Sequence, residues 1–106
     1  MRARRVDANH SDIKDAAIKA GLRVYDTSSV GLGFPDLVVQ FGDVTVLWEV
    51  KNPQQPPSKR RLTPEQQVAR DKGLRARTVL TAEDVITARR EMVAMATAIE
   101  NAKRLA

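Results

Sequence analysis

Asp36, Glu49 and Lys51 are the residues through which this chain could do chemistry, and their spacing matters as much as their types. Two apolar runs, residues 37–41 and 44–50, are divided by Gly42-Asp43, a dipeptide suited to a two-residue hairpin turn. With that pair as the turn, Phe41 faces Val44, and counting outward sets Asp36 directly opposite Glu49. Directly opposed side chains in an antiparallel pair have Cβ atoms roughly 4.5–5.5 Å apart. Lys51 lies two residues beyond Glu49 and points to the same face. The other face carries Leu37, Val39, Phe41, Val44, Val46, Trp48 and Val50, all apolar. Two carboxylates held this close repel, so one takes a proton or a cation sits between them. A hard cation such as Mg²⁺ prefers oxygen ligands and is usually held by one or two carboxylates plus substrate phosphate. Bound there, it polarises a phosphodiester and lowers the pKa of an attacking water. A lysine on the same face stabilises the developing charge or orients the water. The cluster therefore suits metal-dependent cleavage of a nucleic-acid backbone. The plainer alternative is a solvated strand end, with Glu49 and Lys51 forming a surface ion pair worth roughly 0–1 kcal/mol.

The elements that must position this cluster follow from the rest of the pattern. A helix is expected from Asn9, a good cap, to Gly21, with Ile13, Ala16, Ala17 and Ala20 as its apolar stripe and Asp12 in its first turn. Residues 22–26 read as a strand, and residues 27–33 as a small glycine-bearing loop that brings the backbone close to something. After the hairpin, residues 52–61 hold three prolines and the basic run Lys59-Arg60-Arg61, a long connector suited to holding flanking phosphates. Thr63-Pro64-Glu65-Gln66 is a capping box with proline at the first helical position, and Gly73 ends that helix. Residues 76–80 form another strand. Thr81-x-x-Asp84 opens a last helix over about 82–104, in which Val85, Met92 and Ile99 recur at sevens. Its stripe is wide enough to pack on a sheet, with length left over for a dimer contact. The order helix, three strands, helix, strand, helix predicts an α/β fold with a mixed sheet flanked by helices.

Composition sets the outer limits. A chain of 106 residues, 42% hydrophobic and 29% charged, makes one domain with a modest core. A net charge of +5 suits a polyanionic partner, and equally a solubilising surface. The absence of cysteine excludes disulfides and thiolate metal sites. No apolar run approaches the roughly 18 residues of a membrane span and no secretory pattern opens the chain, so a soluble, cytoplasmic protein is expected. The three arginines of residues 1–5 read as a frayed terminus in preference to a phosphate-contacting arm. His10, the one histidine, reads as a surface residue at a helix start.

Pro35-Asp36 followed by Glu49-Val50-Lys51 resembles the PD-(D/E)xK nuclease signature at a hairpin's separation. The wider string, Gly33-Phe34-Pro35-Asp36, then Glu49-Val50-Lys51, then Leu62-Thr63-Pro64-Glu65-Gln66, resembles more specifically the VRR-NUC family of small nucleases. The likeness runs from the first helix to the strand after Gly73. It implies a restriction-endonuclease-like core over about residues 9–80, with an extra C-terminal helix. It also implies Mg²⁺ or Mn²⁺ bound by Asp36, Glu49 and the Val50 carbonyl, Lys51 as the catalytic lysine, and Gln66 in the active site as well as in its capping box. Where the family has a metal-contacting glutamate in the first helix, this chain has Asp12, one methylene shorter and suited to reaching metal through water. Ser29 and Gly33 would border the site and, with Lys59, Arg60 and Arg61, contact DNA. Small members of the family resemble Holliday-junction resolvases and act as homodimers on branched DNA. The leading expectation is a metal-dependent, structure-selective DNA endonuclease. The alternative is a nuclease-fold protein that binds nucleic acid without cutting it, and a third reading is a small basic interaction domain.

Overall fold

The Gly42-Asp43 turn closes the central hairpin in the expected register. In the computed structural model, which describes residues 9–56 and 61–106, Phe41 pairs with Val44, Val39 with Val46 and Leu37 with Trp48. The elements run α1 (His10–Lys19), β1 (Arg23–Asp26), β2 (Leu37–Phe41), β3 (Val44–Val50), α2 (Pro64–Asp71), β4 (Arg77–Val79) and α3 (Ala82–Leu105). The four strands form one mixed sheet in the order β1-β2-β3-β4. β1–β2 and β2–β3 are antiparallel. β4 lies parallel to β3, with Val50 beside Val79, because the chain returns through α2 instead of a tight turn. The chain is thus an α/β domain with a four-stranded mixed sheet and three helices.

Alternation along the strands sorts the two faces. Leu37, Val39, Val44, Trp48, Val50 and Val79 are buried. Against them pack Ile13 and Ala17 of α1 and Val85, Ala88 and Met92 of α3, with Ile99 half-buried beside them. The sevenfold recurrence in α3 is therefore its core face. Ile86, Met95 and Leu105 of the same helix remain exposed. The opposite face of the sheet carries Glu49 and is covered by α2 at one end, and α2 has no buried residue of its own. Among the described residues no helix is long and apolar enough to cross a membrane.

Two readings at the start of α1 need correction. His10 is buried, not on the surface, and its Nε2 lies 3.0 Å from Asp26 Oδ2. With Ile13 and Ala17 it forms one face of the helix, so the buried stripe begins a turn before the first apolar residue. Burial works against ionisation of Asp26, but Ser28 donates to it from both hydroxyl and backbone N–H. With His10 alongside as well, its carboxyl is held well below the usual range. Asn9 does occupy the N-cap position, but its side chain makes no capping bond.

Candidate active site

The side chain of Asn9 turns away from its own helix and ties together the ends of two strands. Its Nδ2 donates to the Lys51 carbonyl at 2.9 Å and to the Leu80 carbonyl at 2.6 Å. Lys51 in turn donates its backbone N–H to the Val79 carbonyl at 3.1 Å. The C-terminal end of β3, with Glu49 and Val50 in the strand and Lys51 directly after it, is thereby fixed from both sides.

Asp36 is delivered by the loop ahead of β2. The neck of that loop is closed where Thr27 N–H donates to the Asp36 carbonyl at 2.8 Å and Thr27 Oγ1 donates to the Pro35 carbonyl at 2.7 Å. Asp36 Oδ2 then accepts the backbone N–H of Val50 at 2.9 Å. The hairpin register continued one residue past Leu37 and Trp48 sets Asp36 opposite Glu49.

Gln66 joins the cluster from α2. Its Nε2 donates to Glu49 Oε1 at 2.6 Å, and its Oε1 accepts from Lys51 Nζ at 3.2 Å. The same Oε1 accepts from Thr63 N–H at 2.9 Å, while Thr63 Oγ1 accepts from Gln66 N–H at 3.2 Å, so the capping box is complete. One amide therefore holds a helix start and two charged side chains at once. Lys51 Nζ also lies 3.7 Å from Glu49 Oε1. Gly33 explains how α2 comes near enough. A Cβ there would stand 2.5 Å from the Glu65 carbonyl oxygen, and its φ is +76°. Both facts demand glycine.

Glu49 is 6% exposed and Lys51 9%, so the solvated ion pair does not describe them. Burial pushes the Glu49 carboxyl up from 4.5 to about 8, reinforced by the Asp36 charge and by a carboxyl–carboxyl hydrogen bond with it; Lys51 and Gln66 pull the other way. Buried ionisable groups gathered at this expense are the mark of a functional centre more than of a stabilising one. The donor set suits a hard divalent cation, which would relieve the repulsion that raises Glu49. Among the described residues no group of three or more His, Cys, Asp and Glu side chains converges. The side-chain donors are accordingly the two carboxylates, within the number a Mg²⁺ site uses.

Asp12 is exposed in the first turn of α1, three residues after Asn9, and it does not join Asp36 and Glu49 in a converging group of three side chains. Ser29 is exposed in the loop, and Arg61 is exposed after the connector. Lys59 and Arg60 lie outside the described residues. Two features were missed in the sequence. Asn9 carried no signal beyond its capping propensity. Arg70 did carry one, because it stands four residues after Gln66 and so shares its helix face. Arg70, Gln66, Glu49 and Gly33 line a half-open cleft of about 130 Å³ between α2 and the sheet. Comparison with known proteins finds no matching family model, no matching curated protein and no matching solved structure.

Proposed function

We propose that the chain is a Mg²⁺- or Mn²⁺-dependent DNA endonuclease of the VRR-NUC kind, acting on branched DNA as a homodimer. One observation carries the proposal: the Gln66 amide bridges Glu49 and Lys51 while Asp36 stands alongside. Four side chains from the loop, β3 and α2 converge where a phosphodiester could lie. The strand order and the parallel return through α2 support a restriction-endonuclease-like arrangement.

Asp36, Glu49 and the Val50 carbonyl would hold the cation, whose chemistry would be to polarise the phosphodiester and acidify water. The protein's own parts divide the remaining work. Lys51 presents an ammonium to the phosphate or the attacking water, and its bond to Gln66 Oε1 fixes the direction of that ammonium. Gln66 Nε2 holds one oxygen of Glu49. Asn9 holds the main chain at the Lys51 carbonyl. A single centre cuts one strand, so symmetric cutting of two strands requires a two-fold pair of chains.

The test is incubation of labelled four-way junction, flap, duplex and plasmid with Mn²⁺ or with a chelator. Cleavage that needs metal and disappears in Asp36→Ala, Glu49→Ala and Lys51→Ala is the expected result. Binding that survives Glu49→Ala, with no cutting by the parent chain, would replace the proposal with the non-cutting binding module. A monomeric mass at micromolar concentration would remove the homodimer.

A further inference from the structure

The cleft beside Glu49 is larger than the proposed catalysis needs. Its volume of about 130 Å³ adjoins the catalytic pair through Glu49 and Gln66, and Pro35, Ala69, Leu74 and Ala76 give it apolar walls. A protein cavity of roughly 150 Å³ accepts a benzene molecule. The cleft is therefore of the order of one six-membered ring and smaller than a base pair. Arg70 also lines it. No carboxylate lies within ion-pair distance of Arg70 among the described residues. Arg75 folds onto the same helix end, donating from Nη1 to the Arg70 carbonyl at 2.6 Å. A slot for one ring with apolar walls, lined also by the Arg70 guanidinium and by Glu49 and Gln66 of the proposed phosphate site, matches a nucleotide whose base has left its stack.

We infer that this cleft is a subsite for one unpaired nucleotide next to the scissile phosphate, its base in the slot and its phosphate on Arg70. The choice of ligand class rests on the nuclease reading above. The subsite would give selectivity for flaps, bulges and branch points a physical origin. Extruding a base from intact duplex costs a few kcal/mol, and an already unpaired nucleotide avoids that cost.

The experiment measures fluorescence anisotropy in chelator with three DNAs: a full duplex, the same duplex with one unpaired thymidine, and the same with an abasic residue at that point. The unpaired thymidine should tighten binding about tenfold over the other two, the scale of one base buried on a protein surface. Ala69→Phe fills the slot and should abolish that preference while leaving duplex affinity unchanged. Ala76→Leu fills it from the opposite wall and serves if the first variant fails to fold by circular dichroism. Arg70→Ala should weaken the thymidine complex by a similar factor. Equal binding of the thymidine and abasic DNAs overturns the inference, as does a preference retained in a folded filled variant. Cleavage with Mn²⁺ but no preference removes the subsite and keeps the nuclease. A preference lost on filling, in a chain that never cuts, keeps the subsite and removes the nuclease.

Discussion

Between pH 5 and pH 9 the stability of the fold should track the proton on Glu49. In the unfolded chain this carboxyl has its ordinary value of 4.5, whereas in the fold burial and Asp36 raise it to about 8. A carboxyl raised in the native state is neutral there while the unfolded chain has already released its proton. The native state thus binds more protons across this window, and the free energy of unfolding falls as pH rises, by about 1.4 kcal/mol per pH unit. Stability is undiminished below 4.5 and is lost progressively up to about 8. The full span sets a ceiling of about 5 kcal/mol, and relaxation of the site at an effective dielectric of about 20 reduces the expected loss to about 2 kcal/mol. Glu49→Gln mimics the protonated side chain, because its carbonyl still accepts from Gln66 and its amide still reaches Asp36. Thermal unfolding of both proteins from pH 5 to pH 9 in chelator checks the reasoning. The variant should match the parent near pH 5 and exceed it at pH 9 by about 2 kcal/mol, or roughly 10 °C for a domain of this size. Millimolar Mg²⁺ at pH 9 should stabilise the parent and not the variant. Parallel curves for the two proteins across the whole range would refute the argument.

Other substitutions probe the supports of the site. Asn9→Asp keeps a good capping residue but sets a carboxylate against two carbonyls, so it should cost about 2 kcal/mol or more in denaturant melts; a neutral result would mean the Lys51 and Leu80 contacts do not matter. Gly33→Ala combines a positive φ with a collision against α2, and should lose about 2–3 kcal/mol and most cleavage, which a melt and a nicking assay measure side by side. Gln66→Glu retains an acceptor for the Thr63 N–H but removes the donor to Glu49. It should leave the melt near that of the parent at pH 5 and depress both stability and cleavage at pH 9.

The hairpin was legible because a two-residue turn leaves no freedom of register, and from Gly42-Asp43 the opposition of Asp36 and Glu49 follows by counting. Both capping boxes were legible for a similar reason, since their partners lie three residues apart. Contacts between distant segments left no such trace. Nothing in the local pattern tells Asn9 as a cap from Asn9 as a brace between Lys51 and Leu80, because both use the same amide. His10 was misread since its burial depends on Asp26, sixteen residues away on another element. Gly33 was recognised as permitting a close approach, but its neighbour, the first turn of α2, could be named only from the fold.

The brace made by Asn9 also bears on when the site comes into being during folding. Asp36 and Glu49 meet through a hairpin of short contact order, which can close early and unaided. The position of Lys51, by contrast, depends on bonds spanning 42 and 71 residues, from Asn9 to β3 and from Asn9 to the segment after β4. A nascent or partly unfolded chain can therefore carry the acidic pair without the fixed lysine beside it. Under the proposed function, the capacity to cut would in this way be reserved for the finished fold.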